Sequence, residues 1–197
     1  MIELIPEIYV APLDLIAIFG RIAPLDVDLG CGNGDFLCEL ARRHPERNFL
    51  GIDKLAGRVM KACRKAGALD NVRILKVESS YAVRYLLSES SVENFYLLFP
   101  DPWPKRRHHR RRIMQADFLD SIHRALEPGG TIHLATDDLH YFEQMQRVTS
   151  TSHKLECIMH SSFREDVDLP VTKFERRFRE QDAPIYRLAL RKISPLR

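Results

Sequence analysis

The 197-residue chain is predicted to form an α/β fold with a mostly parallel sheet. Three observations carry this. Short apolar runs alternate with longer amphipathic stretches, the order in which parallel strands are joined by crossover helices. The first strong run is followed at once by a glycine-rich turn, Gly30-Cys31-Gly32-Asn33-Gly34, that opens a helical pattern. The length fits one domain with a substantial core, and no repeat, low-complexity tract or linker divides residues 1–197.

Residues 26–29 form the first strand of the pattern. Phe36, Leu37, Leu40 and Ala41 then recur at helical spacing up to His44-Pro45. Residues 48–52 are a second strand with Asp53 at its end, and a helix over 55–66 follows, with Gly67 as its stop. Residues 72–77 read as the third strand, 82–87 as a short helix, and 95–99 as a buried fourth strand. An amphipathic helix over 113–126 ends at Glu127-Pro128-Gly129-Gly130, a strong stop signal. A fifth strand over 131–135 and a helix over 139–148 continue the alternation. Residues 155–160 and 185–190 are the final strands, the last one returning antiparallel.

Composition narrows the classes. Apolar residues at 45% and charged residues at 29% are ordinary for a globular protein. A net charge of +3 does not by itself announce a nucleic-acid partner. Its distribution matters more, because six formal positive charges fall in the eight residues 105–112, which read as a solvated basic loop or a polyanion contact, and more follow at Arg176, Arg177 and Arg179. Cys31, Cys38, Cys63 and Cys157 show no C-x-x-C spacing, and no histidines pair at metal-ligand spacing, so reduced thiols and no metal are expected. No apolar run approaches a membrane span of about 20 residues, and no secretory leader pattern opens the chain. A cytoplasmic protein is expected.

Asp28 precedes the glycine turn by two positions, and the glycines follow G-x-G-x-G rather than the G-x-G-x-x-G of dinucleotide oxidoreductases. Asp53 at the next strand end suits a pair of ribose hydroxyls, a feature shared with nicotinamide-binding folds. Phe99-Pro100-Asp101-Pro102-Trp103-Pro104-Lys105 is the most informative segment. Three prolines stop the strand and stiffen a loop that holds one carboxylate and the only tryptophan, with the basic run directly behind.

This heptapeptide and its basic tail resemble the signature of the bacterial tRNA (guanine-N7)-methyltransferase family, a branch of the class I S-adenosylmethionine-dependent methyltransferases. The resemblance spans residues 27–190. It implies a Rossmann-like sheet with helices on both faces and an antiparallel last strand. It also implies methyl transfer from S-adenosylmethionine to N7 of guanosine 46 in the tRNA variable loop, leaving S-adenosylhomocysteine. The family makes Asp101 the catalytic residue. It assigns Asp28, Gly30, Gly32, Asp53, Glu78 and Asp101 to the cofactor, and Lys105, Asp137, Thr172, Lys173, Phe174 and Glu175 to the substrate. No metal and no obligatory protein partner are implied, and the compact chain is expected as a monomer or homodimer.

Several roles stay double at this point. Glu78-Ser79-Ser80 stands where the family usually has aspartate followed by alanine, so Glu78 either meets adenine or is an exposed strand end. Asp137 either contacts substrate or caps the following helix. Thr172 with Glu175 also spells a capping box, and Gln181-Asp182-Ala183-Pro184 replaces the family's glycine. Trp103 either stacks on a base or packs its loop. Residues 105–112 are expected to contact phosphates, which set affinity without reading sequence.

Overall fold

The alternating apolar runs pair side by side, with side chains pointing in turn to opposite faces. The computed structural model describes residues 2–161 and 169–193. The expected domain also includes residues 1, 162–168 and 194–197, which lie outside the described residues. In chain order the elements are β1 (Glu3–Leu4), α1 (Leu15–Phe19), β2 (Leu25–Leu29), α2 (Asp35–Arg43), β3 (Asn48–Asp53), α3 (Ala56–Ala66), β4 (Val72–Lys76) and a single turn α4 (Ser79–Tyr81). They continue with β5 (Val92–Leu98), α5 (Ala116–Ala125), β6 (Leu126–Thr136), α6 (Leu139–Ser150), β7 (Leu155–Ser161), α7 (Lys173–Glu180) and β8 (Tyr186–Lys192).

The strands form one eight-stranded sheet in the order β1-β4-β3-β2-β5-β6-β8-β7. β8 alone runs antiparallel to both of its neighbours, as expected for the last strand. Val27, Leu50, Leu75, Phe95 and Ile132 face one layer with Phe118, Ile122 and Met145 from α5 and α6. Phe49, Ile74 and Tyr96, one residue out of phase, face Phe36, Leu37, Leu40, Val59 and Ala62 from α2 and α3. This period-two division puts helices on both faces.

Four local features differ from the sequence pattern. The helix expected from residue 113 starts at Ala116, because Gln115 is extended and Met114 is drawn inward, its N–H donating to the Tyr141 hydroxyl at 3.2 Å. Glu127-Pro128-Gly129-Gly130 does stop the helix, which ends at Ala125, but it does not open a free turn before the strand. It bulges within β6, whose register with β5 shifts between Val92↔Leu126 and Asn94↔Thr131. Residues 82–86 form a π-helical turn after α4, not an α-helix. Gly67 follows α3 in a right-handed conformation, so the left-handed glycine stop is not used there.

At the strand ends opposite the glycine turn, a polar network ties β2, β5 and β6 to Arg47, the residue that leads into β3. The buried Asp26 carboxylate accepts from Arg47 Nε and Nη2 at 3.0 and 2.8 Å and from Asn94 Nδ2 at 2.8 Å. Arg47 Nη1 also reaches Glu93 at 3.2 Å, and Thr131 Oγ1 donates to Asn94 Oδ1 at 2.6 Å. Burial pushes the Asp26 carboxyl above its usual range, while the Arg47 hydrogen bonds oppose that shift. Removing one member of such a pair strands the other in a poorly solvated site. Asp26→Ala is therefore expected to destabilise the protein by about 3 kcal/mol, read as a lowered urea midpoint. A change below about 1 kcal/mol would make the network a surface feature in energetic terms.

Candidate active site

Strand order reverses between β2 and β5, so the loops leaving their carboxyl ends diverge and open a crevice. The crevice is a cleft of about 690 Å³. One wall is the glycine turn. Gly30 and Gly32 have φ of 83° and 57°, a region that side-chain-bearing residues disfavour. A Cβ at Gly30 would meet no atom within 4 Å, so its glycine serves backbone conformation and leaves the cleft floor bare. The Gly30 and Cys31 N–H groups both donate to the Ile52 carbonyl, at 2.8 and 3.0 Å.

Asp53 ends β3 beside this turn. One carboxylate oxygen accepts from Gly32 N at 3.1 Å, the other from Leu55 N at 2.8 Å, and Arg58 Nη1 lies 3.6 Å away. The carboxylate thus shapes the turn as well as lining the cleft, a role the sequence pattern did not reveal. Asp28, 4% exposed, lines the cleft floor. Among the described residues no hydrogen bond reaches its side chain. Burial, with the charge of Asp53 adding, pushes its carboxyl up to about 7. Glu78 lines the cleft too, but it caps α4, accepting from Tyr81 N at 2.9 Å and from Ser80 Oγ.

The opposite wall is the Asp101 loop. Phe99 and Trp103, bracketing Pro100-Asp101-Pro102, have φ of 54° and 43°. Bulky residues held in the left-handed region store strain on the order of 1–3 kcal/mol each and persist where surroundings fix them. Phe99 is fixed by stacking near Phe174 and Phe178, with centroids 6.4 and 5.4 Å away. Trp103 lines the cleft with His108 edge-on at 5.7 Å and the Arg111 guanidinium 5.0 Å from its ring. Asp101 is exposed on the cleft wall. The basic run forms a 3₁₀ turn, Arg106–Arg111, with Lys105 exposed at its N-cap and outside the cleft lining.

Arg112 departs from its sequence grouping. Expected among the phosphate contacts, its side chain is 1% exposed and turned into the fold. The reason is local: Arg112 is extended at the end of the 3₁₀ turn, which aims it under the loop rather than outward with Arg110 and Arg111.

Asp137 follows β6 on the cleft wall, partly buried, and burial raises its carboxyl above the usual range. The helix cap falls to Asp138, whose Oδ1 accepts from Tyr141 N at 2.7 Å, which leaves the Asp137 side chain to the cleft. Thr172 caps α7, accepting from Glu175 N at 2.9 Å. The reciprocal half of the capping box is replaced by ion pairs: Glu175, 5% exposed, accepts from Arg179 at 2.5 Å and Arg187 at 2.6 Å and lies outside the cleft lining. Thr172, Lys173 and Phe174 line the cleft, as do Arg177 and Phe178. The last two were missed. Their spacing of four from Lys173 and Phe174 was the available signal, since it places all four on one helical face. Among the described residues no cluster of His, Cys, Asp and Glu is arranged to hold a metal ion.

Residues 22–188 match the family described as putative methyltransferase. The tRNA (guanine-N(7)-)-methyltransferase of Halorhodospira halophila is 41% identical over 170 residues, 84% of this chain and 73% of that protein. The chain belongs to this family. The namesake enzyme of Thermotoga maritima is 40% identical over 186 residues, 93% of this chain but 58% of the relative's own length. Among solved structures the chain is similar to the 16S rRNA methyltransferase KamB, with a TM-score of 0.65 and 18% identity over 91% of this chain and 92% of that one. It is also similar to the antibiotic-resistance methyltransferase Kmr, with a TM-score of 0.63 and 16% identity over 93% of each chain. These two likenesses establish the class I methyltransferase fold.

Asp28 yields a stability prediction. Its folded-state pKa of about 7 lies above the ordinary 3.8, so the folded state holds a proton that the unfolded state has lost between those values. Its contribution is fully present below pH 4 and is lost as pH rises through 7. Asp28→Asn should therefore melt higher than the parent at pH 8, with the gap closing toward pH 4, by thermal scans across that range. A gap independent of pH would mean Asp28 is ionised throughout.

Proposed function

We propose that the protein transfers a methyl group from S-adenosylmethionine to N7 of guanosine 46 in the tRNA variable loop, releasing S-adenosylhomocysteine. The observation that carries this reading is one cleft with an acidic floor, Asp28 and Asp53, facing a wall of Asp101 and Asp137, with the basic 3₁₀ turn behind. The residues fit the cofactor. Asp28 is a buried carboxylate with no donor among the described residues, the complement of a cation, and the bare turn at Gly30 and Gly32 admits a nucleoside against the backbone. When bound, S-adenosylmethionine supplies an electrophilic methyl on a sulfonium. Ionised Asp28 faces its charge, Asp53 accepts from the ribose hydroxyls, and Glu78 edges the adenine.

Guanine N7 carries a lone pair and no proton, so no side chain has to remove one. Catalysis then rests on placement and on charge complementarity. Asp101 accepts from the ring N–H and amino group of guanine and favours the positive charge that develops on the purine. Asp137 meets the base from the other side, while Lys105, Thr172, Lys173 and Phe174 border its nucleotide. Glu175 serves this group through α7, which its ion pairs anchor. Arg106, Arg107, Arg110 and Arg111 contact phosphates. The protein acts on tRNA in the cytoplasm, as a monomer or homodimer, without a metal or an obligatory protein partner.

Nucleoside mass spectrometry of unmodified tRNA incubated with the protein and S-adenosylmethionine should show 7-methylguanosine at one site. Methylation of another base would overturn the reading. Asp101→Asn keeps the shape and removes the charge. Single-turnover methylation should fall on the order of a hundredfold, with tRNA and S-adenosylhomocysteine affinities within a few-fold of the parent. An unchanged rate would reduce Asp101 to a loop residue.

A further inference from the structure

Loop 100–104 is poorly tethered by its own backbone. Pro100, Pro102 and Pro104 have no N–H to donate. Among the described residues, the hydrogen bond that joins this loop to the rest of the protein is Arg112 Nε to the Pro102 carbonyl, at 2.6 Å. The same guanidinium reaches a second segment. Its Nη1 donates to Gln144 Oε1 at 2.8 Å and approaches the His140 carbonyl at 3.5 Å. Its Nη2 lies 3.8 Å from Asp138, and the plane sits 4.7 Å from the centre of the Tyr141 ring. Pro102 directly follows Asp101, and Asp138 directly follows Asp137.

The geometry points to Arg112 as a positioning residue: a buried crosspiece that fixes the Asp101 loop against the Asp137 turn, so that both carboxylates address one guanine. This rests on the reading of Asp101 as the group that meets the base. A planar fork serves here where an ammonium would not, because its edges must reach a carbonyl on one side and a helix on the other while its face lies on an aromatic ring. The basic run thereby divides into two functions. Arg110 and Arg111 stay at the surface for phosphates, and Arg112 turns inward to hold the reactive loop.

The test compares Arg112→Lys with Arg110→Ala/Arg111→Ala in the full-length protein. Arg112→Lys should lower kcat roughly 10–100-fold and leave tRNA Kd and its salt dependence at parental values. The double alanine variant should weaken tRNA binding and flatten the salt dependence, since fewer counterions are released. In the Asp101→Asn background Arg112→Lys should cost little further, because a positioning residue acts through the group it positions. A parental kcat, a salt slope like that of the double alanine variant, or full additivity with Asp101→Asn would each overturn the inference.

Trp103 supplies a readout independent of methylation. It is the only tryptophan and sits in the loop, so acrylamide quenching of its emission should rise in Arg112→Lys. Unchanged quenching contradicts the crosspiece even if the parent methylates tRNA. Raised quenching in Arg112→Lys together with a parent that makes no 7-methylguanosine would leave the crosspiece standing and the functional reading failed. Gln144→Ala, which removes one acceptor of the fork, carries the same measurements in milder form should Arg112→Lys not fold.

Discussion

Parallel pairing of β2 with β5 is the constraint on which the site depends. Asp26, Val27 and Asp28 stand in register with Asn94, Phe95 and Tyr96, so both strands end on the same edge of the sheet. Their exits then part, one toward β3 and one toward β6. The cleft is the gap that this parting leaves, and the glycine-turn and Asp101 walls both spring from strand ends. The period-two side-chain rule does the rest. With Val27 in one core layer, Asp26 and Asp28 must share the other face, one at the network end and one at the cleft end.

The electrostatics of the two ends differ because their partners differ. Asp26 is matched by the Arg47 fork, which opposes the upward push of burial on its carboxyl. Asp28 has no such partner, and Asp53 adds a like charge nearby. A carboxylate left in that condition is stabilised by whatever cation enters the cleft. The outer rim has the opposite sign, with Arg106, Arg107, Arg110 and Arg111 exposed on the 3₁₀ turn. The rim thus favours a polyanion and the floor a cation, so under the proposed function the two ligands would not compete for the same charges.

What the sequence showed and what it hid follow from the range of the forces involved. The glycine turn, the Asp101 loop and all strands but the two-residue β1 were legible because they are set by local patterns, namely apolar runs, G-x-G-x-G spacing and prolines. The inward turn of Arg112 was hidden, because one-sign runs read as surface and only a tertiary contact with Gln144 and Tyr141 reverses that. The bulge at residues 127–130 was hidden likewise, since Pro and Gly signal interruption without saying whether the strand resumes partner pairing. Glu175 looked like half of a capping box. The arginine that claims it, Arg187, arrives from a strand twelve residues on.

The place of β8 has a bearing on how the molecule is made. β8 follows β7 in the chain yet lies between β6 and β7, and among the described residues β7 pairs with no other strand. A nascent chain that has emerged only as far as α7 therefore carries β7 detached and β6 as an open edge, the kind of edge that invites pairing with other chains. The same strand delivers Arg187 to Glu175, and through it the seat of α7 on the cleft. Addition of β8 thus both closes the sheet and gives α7 its anchor, so the glycine-turn wall of the cleft can form before the α7 wall is seated.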